Sequence, residues 1–238
     1  MKKVLLTGFG PFGQDKVNPA LEVIKEMDGE IISLKNQAGE EIEAEIVTAE
    51  MPVVFGKTIL EFKNKVEETK PDLILSIGQA AGRSVLSLER FGVNMNDSVF
   101  PDNENNKPQD ELIDESGPTA YFSTLALRET LEKLKKEGIP AVISNSAGTY
   151  VCNNLVYGAL HFLATTKEYS HIKYGFMHIP YLPSQAAEKQ KPFPSLPLEI
   201  VKKAIKFAIG VNLWINNLYI SGNDNLLRSN ALDDIPRC

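Results

Sequence analysis

Cysteine is scarce in this chain: only Cys152 and Cys238 occur among 238 residues. A disulfide framework needs an even set of cysteines in a small secreted chain, so a reducing, cytosolic setting is the expectation. Histidine is nearly as rare, with three in all. No Cys-x-x-Cys or His-x-x-x-His spacing is present, which argues against a metal site. Positive charge is not in excess either. Lys and Arg number 25 against 31 Asp and Glu, a formal net charge of -6 with a pI near 5.2, and such a chain offers no electrostatic footprint for nucleic acid or an anionic membrane. Long apolar runs are missing too. Met1-Lys2-Lys3-Val4-Leu5-Leu6-Thr7-Gly8 starts basic, as a signal peptide does, but Gly8, Gly10 and Pro11 cut it too short for a signal or a membrane span. Internal repeats and low-complexity blocks are absent. What is present, 43% apolar and 24% charged residues, is enough for one sizeable core.

Apolar strands alternate with amphipathic helices along the chain. Residues 3–7 read as a buried first strand, and Gly8-Phe9-Gly10-Pro11-Phe12-Gly13 after it formally matches Gly-x-Gly-x-x-Gly. That fingerprint needs its third glycine at the opening of a helix. Here the helix signal comes later, at Asn18 as N-cap and Pro19 at the first helical position. The loop therefore reads as a glycine-jointed turn that presents two phenylalanines, either to the core or as walls of an apolar pocket at a strand's C-terminal end. Extended stretches follow at 30–34 and 43–52, then a helix with Ile59, Phe62 and Val66 on one face, closed by Lys70-Pro71. Residues 72–78 form a fully apolar strand of the parallel-sheet type, and 84–94 one more strand containing Glu89-Arg90. That charged pair reads as a solvated edge or a structural ion pair.

Residues 96–118 are polar and proline-bearing, a long loop of the kind that serves as a functional cover or is disordered. Pro118 and Thr119 open a predicted helix to Glu137 with Leu127, Leu131 and Leu134 as its stripe. A strand at 139–144, a helix from Cys152 to about Thr165, a strand at 174–179 and a helix at 198–209 complete the pattern. The rhythm predicts an α/β fold. Beyond Gly210 the pattern dissolves, and 210–238 is set aside as a tail of unassigned role behind a single domain over 1–209.

Cys152 opens a helix after the small-residue stretch Ser144-Asn145-Ser146-Ala147-Gly148. Unpaired N–H groups and the positive end of the dipole at a helix start favour a thiolate, which makes Cys152 a candidate nucleophile. It also shares a face with Val156, Ala159, Leu160 and Leu163, so a core role stays open. A thiol hydrolase needs a base within hydrogen-bond reach of sulfur. His161 lies nine residues on along the same helix, roughly opposite and about 13 Å away, and His171 sits in a polar turn. His178, near the end of the strand after the cysteine helix, is the remaining candidate, with a hydrogen-bonded core histidine as the competing reading.

Taken together, Thr7-Gly8-Phe9-x-Pro11-Phe12-Gly13, Asn18-Pro19, Gly78-Gln79-Ala80-x-Gly82-Arg83, Glu89-Arg90, Pro101-Asp102-Asn103-Glu104, Ser146-Ala147-Gly148-Thr149-Tyr150-Val151-Cys152-Asn153 and His178-Ile179-Pro180-Tyr181 resemble the pyroglutamyl peptidase I family of cysteine peptidases, in order from residue 1 to about 209. The resemblance implies a three-layer α/β/α open sandwich with a mixed, mainly parallel sheet, a cytosolic homotetramer and no cofactor. It implies a catalytic set of Cys152, His178 and Glu89 that removes an N-terminal pyroglutamyl residue from peptides through a thioester. It also implies that Phe9 and Phe12 wall the lactam ring, with Gln79, Tyr150, Val151 and Asn18 completing the pocket, and the Cys152 N–H is an expected oxyanion donor. The family usually carries Arg two positions before Pro-Asp-Asn, where this chain has Val99. That departure motivates a competing reading, a non-catalytic or weakly active relative that binds pyroglutamyl peptides. A nucleotide-binding protein using the glycine loop is the third.

Overall fold

A computed structural model of the chain describes residues 1–35 and 40–215. In chain order the elements are β1 (Lys2–Phe9), α1 (Pro19–Met27), β2 (Ile31–Lys35), β3 (Glu41–Met51), α2 (Lys57–Thr69), β4 (Leu73–Gln79), β5 (Leu86–Glu89), β6 (Phe91–Val93), β7 (Ala120–Phe122), α3 (Leu127–Lys136), β8 (Ala141–Ser144), α4 (Val151–Thr165), β9 (Lys173–Ile179), α5 (Pro183–Ala187) and α6 (Leu198–Trp214). Seven strands form one sheet in the order β2-β3-β1-β4-β9-β5-β8. The central run β3, β1, β4 and β9 is parallel. At one side β2 lies antiparallel to β3; at the other, β5 lies antiparallel to β9 and parallel to β8.

Successive strand residues point to opposite faces, so a strand buried on both sides feeds two cores. β1 does this: Val4 and Leu6 join the cluster under α1, α3 and α6, while Leu5 joins the cluster under α2 and α4. β4 divides likewise, Leu73, Leu75 and Ile77 to one face and Ile74 to the other. The result is a three-layer α/β/α sandwich with a mixed, mostly parallel sheet. Among the described residues no helix is long and apolar enough to cross a membrane.

Three sequence expectations change. The stretch 84–94 is two strands in different sheets: β5 belongs to the large sheet, while β6 turns away at Arg90 and pairs with β7. The helix expected from Pro118 begins only at Leu127, because Ala120–Phe122 supplies that pairing strand. Three residues are too few to display an alternation, and the leucine stripe behind them masked the boundary. Finally, α6 continues past Gly210 to Trp214. A helical glycine costs only about 0.5–1 kcal/mol relative to alanine, and Asn212 more than repays it in contacts. Its Oδ1 accepts from the Ala126 N–H at the start of α3 at 2.7 Å, and its Nδ2 donates to Thr130 Oγ1 at 3.1 Å. Cys238 and the rest of the expected tail from residue 216 lie outside the described residues.

Candidate active site

β1, β4 and β9 run parallel and end along one edge, which brings Phe9, Gln79 and His178 together. Ligands of open α/β sheets bind beyond such strand ends. The reversal of β5 supplies the acid. Its register sets Ser87 opposite His178 and Glu89 opposite Phe176, so Glu89 is the diagonal neighbour of His178 on the same face. The two side chains meet, His178 Nδ1 to Glu89 Oε1 at 2.7 Å, with Glu89 fully buried and His178 4% exposed. The Phe176 ring packs edge-on against the imidazole at 4.8 Å between centroids.

Cys152 is the second residue of α4, whose N-cap Tyr150 makes no side-chain cap. The N-cap side chain thus leaves the first-turn N–H groups of the helix that carries the thiol without a cap. Gly78 in β4 makes room for it: a Cβ there would sit 2.6 Å from the Phe176 ring and 3.3 Å from Cys152 Sγ. Arg83 approaches from the loop after β4, where Gly82 takes a positive φ of 88° that returns the chain toward the site. Arg83 Nη1 donates to Glu89 Oε1 at 2.6 Å, and Nη2 donates to the Ser146 carbonyl in the cysteine loop at 3.1 Å. One guanidinium therefore ties the buried acid to the segment that carries the thiol. The partner of Glu89 is Arg83, not its neighbour Arg90, whose backbone N–H bonds Ser144 O instead.

The charges compete. Burial by itself would lift the Glu89 carboxyl, but the hydrogen bond from His178, with help from Arg83, holds it below its ordinary value. Burial pushes the His178 imidazole down, Glu89 opposes this, and Arg83 adds to it, leaving a net fall. For Cys152, burial and then the Glu89 charge push the thiol well above its usual range, against the pull of Arg83. Burial thus favours the uncharged form of both groups, the thiol and the neutral imidazole, against the pull of the helix start on the thiol.

Cys152 and His178 open onto a cavity of about 230 Å³ whose other walls include Phe9, Phe12, Asn18, Gln79, Tyr150 and Val151. Every expected site residue except Glu89 lines it, and Glu89 lies beneath, behind His178. Phe12 leans against Tyr150 at 6.3 Å, and Phe55 packs edge-on against the same tyrosine at 5.4 Å. Asn18 and Gln79 spend their side chains elsewhere. Asn18 Oδ1 caps α1 through Ala20 N, and its Nδ2 donates to Gly10 O. That cap stands at the helix start that a dinucleotide's phosphates would need. Gln79 Nε2 donates to Asp15 Oδ2 at 3.0 Å, and its Oε1 accepts from Gln185 at 3.3 Å. His161 is remote, bonded to the Tyr121 hydroxyl through Nδ1 at 3.0 Å. Arg83 also lines the cavity. Sequence reasoning assigned it no role; its signal was a lone cation in a small-residue loop six residues before Glu89.

A cysteine on a helix start, an imidazole at a strand end and a buried carboxylate behind it are the parts of a thiol hydrolase on an α/β scaffold. Residues 2–214 match the family model for pyroglutamyl peptidase, and the chain belongs to that family. It is 47% identical over 212 residues to the pyrrolidone-carboxylate peptidase of Brevibacillus brevis, covering 88% of this chain and 92% of that one. The pyrrolidone-carboxylate peptidase of Treponema denticola is 45% identical over 208 residues, 87% of this chain and 91% of the relative. Among solved structures, pyroglutamyl peptidase I of Bacillus amyloliquefaciens superposes with a TM-score of 0.80 at 42% identity, covering 89% of this chain and 97% of that chain. A variant pyrrolidone carboxyl peptidase of Pyrococcus furiosus gives 0.80 at 44% identity, covering 89% and 98%.

Proposed function

We propose that this protein is a cysteine exopeptidase that removes an N-terminal pyroglutamyl residue from peptides, with Cys152 as nucleophile, His178 as base and acid, and Glu89 as the group that orients the imidazole. The observation that carries the assignment is the 2.7 Å Glu89–His178 pair behind a cavity shared by His178 and the Cys152 thiol. Its relatives are named as peptidases, which favours turnover over mere binding.

Glu89 accepts the Nδ1 proton, which leaves Nε2 as the basic nitrogen. Because burial favours the protonated thiol, attack and proton transfer go together: Sγ bonds to the pyroglutamyl carbonyl carbon as Nε2 takes the thiol proton. The imidazolium then gives that proton to the leaving amine, and a thioester remains. Water adds to the thioester, passing its proton to His178, and the thiol is regenerated with release of pyroglutamate. The developing oxyanion meets the N–H groups of the first turn of α4, the Cys152 N–H among them.

The cavity suits a small, flat, uncharged ring. Phe9 is buried and Phe12 half-buried at its walls, and an acid to pair a free amine is missing from its lining. With the carboxamides of Asn18 and Gln79 engaged, main-chain groups beside Gln79 and Val151 are the ones left to read the lactam edge. N-terminal proline lacks the ring carbonyl and would leave such groups unpaired. The family resemblance also carries a homotetramer in a reducing cytosol, which static light scattering on the full chain would check for assembly. The deciding assay is release of a reporter amine from a pyroglutamyl amide. Wild type should release it and a prolyl amide should not react, while Cys152→Ser should be inactive; full activity in that variant would sink the assignment.

A further inference from the structure

Across the Phe12–Tyr150 wall lies a second cavity, of about 500 Å³, to which both rings also belong. Its outer lip is Val99 and Phe100, 75% and 72% exposed. These two are not on a slack loop. The Ser98 hydroxyl donates to Phe100 O at 2.6 Å, Tyr150 donates to Pro101 O at 3.0 Å, and Asp97 and Thr149 exchange two bonds at 2.6 and 3.1 Å. Asp102 fastens the far end, accepting from Phe55 N and from Asn106 and Glu104 N–H groups. A firmly tied loop thus holds two large apolar side chains out in water beside the mouth of the active site, where an unpartnered apolar patch signals a contact surface.

We propose that this groove is the subsite for the residue that follows the pyroglutamyl group, and that it takes a large apolar side chain. The inference rests on the peptidase assignment above. A pyroglutamyl residue is the end of its chain, so a bound substrate has one exit from the inner cavity, at the scissile bond beside Cys152. Thr149 and Tyr150, just before the nucleophile, line the outer groove, and one extended residue spans about 3.3–3.6 Å, so the next side chain reaches the wall the two cavities share. The lining of the groove is apolar except for Ser98, Thr149 and Asp97. Asp97 and the net charge of -6 set it against an acidic side chain.

The test compares kcat/KM for pyroglutamyl-X amides with X as Leu, Phe, Gly and Asp. Wild type should favour Leu and Phe over Gly by ~10-fold, with Asp lowest, the scale expected when an apolar pocket reads a few methylenes. Val99→Ser and Phe100→Ser should each shrink the Leu-to-Gly ratio, and the double variant should bring it within about 2-fold of unity. A flat wild-type profile would overturn the proposal, as would a preference that survives in the double variant. A double variant that keeps the preference but changes mass by light scattering would assign the face to a second copy of the chain. Failure of wild type to cleave any pyroglutamyl amide would instead overturn the peptidase assignment, and the subsite with it.

Discussion

Glu89 and His178 stand on adjacent strands, almost wholly buried and bonded to each other, with Arg83 bonded to Glu89. Phe12, Tyr150, Val99 and Phe100, on the opposite side of the cavity, stand on or beside loops, half-buried or exposed, and meet mainly through rings and one tyrosine hydroxyl. The first group is positioned by sheet register, which a one-residue slip would destroy. The second is positioned by side-chain ties that can change one at a time. Proton transfer needs fixed geometry within tenths of an ångström, and recognition of varied peptides does not, so the roles proposed above would fall on the two kinds of scaffold suited to them.

Mutations should separate the halves. His178→Ala, in the sheet-built half, should lower kcat by ~10³-fold or more while leaving pyroglutamate binding measurable by calorimetry; a small effect would break the division at once. Glu89→Gln should cost ~10²-fold and also shift the pH profile. Burial holds His178 below its ordinary value, so the acid limb of wild-type kcat/KM should lie below about pH 6.5. Glu89 raises that imidazole, so its loss should move the limb further down. Arg83 acts in the opposite direction on His178. Arg83→Gln should cost ~10-fold and move the acid limb up, with Arg83→Lys between; a uniform loss with an unmoved limb would reduce Arg83 to a mere tether.

The loop-built half should respond in stability before rate. Asp102 is 5% exposed and its two oxygens accept four hydrogen bonds. Asp102→Asn should cost about 2 kcal/mol in urea unfolding with turnover of a simple pyroglutamyl amide changed little. Hydrogen bonds from Asn106, Phe55 and Glu104 outweigh burial and hold this carboxyl below its ordinary value. Its contribution is therefore present above the unfolded pKa of about 3.9 and is lost as pH falls through the lower folded value. The stability gap between wild type and variant should close below pH 4.

The layering was legible because β1 and β4 are short apolar runs between amphipathic helices, and Asn18-Pro19 announced α1 in plain helix-start chemistry. Cys152 and His178 could be paired from sequence by eliminating the other two histidines on distance and setting. Glu89 could not. Its place behind His178 depends on β5 entering the sheet antiparallel to β9, a tertiary choice that leaves no trace in Leu86-Ser87-Leu88-Glu89. The same applies to Arg83, whose role arises only when a turn folds it back onto that acid. For the thiol, the helix start was visible in sequence, while the burial and the nearby Glu89 carboxylate that push the other way are properties of the packed site.

The Gln79 carboxamide bears on any attempt to re-engineer the acyl specificity. Held by Asp15 at one end and Gln185 at the other, and through Gln185 by the Val17 carbonyl, it works as a rivet joining the glycine loop, the end of β4 and α5. A library varied at Gln79 would therefore select first for repair of that joint, and only afterwards for a new substrate. Diversity placed at Val99 and Phe100 carries no such penalty, so the leaving side of the substrate is where this enzyme can drift.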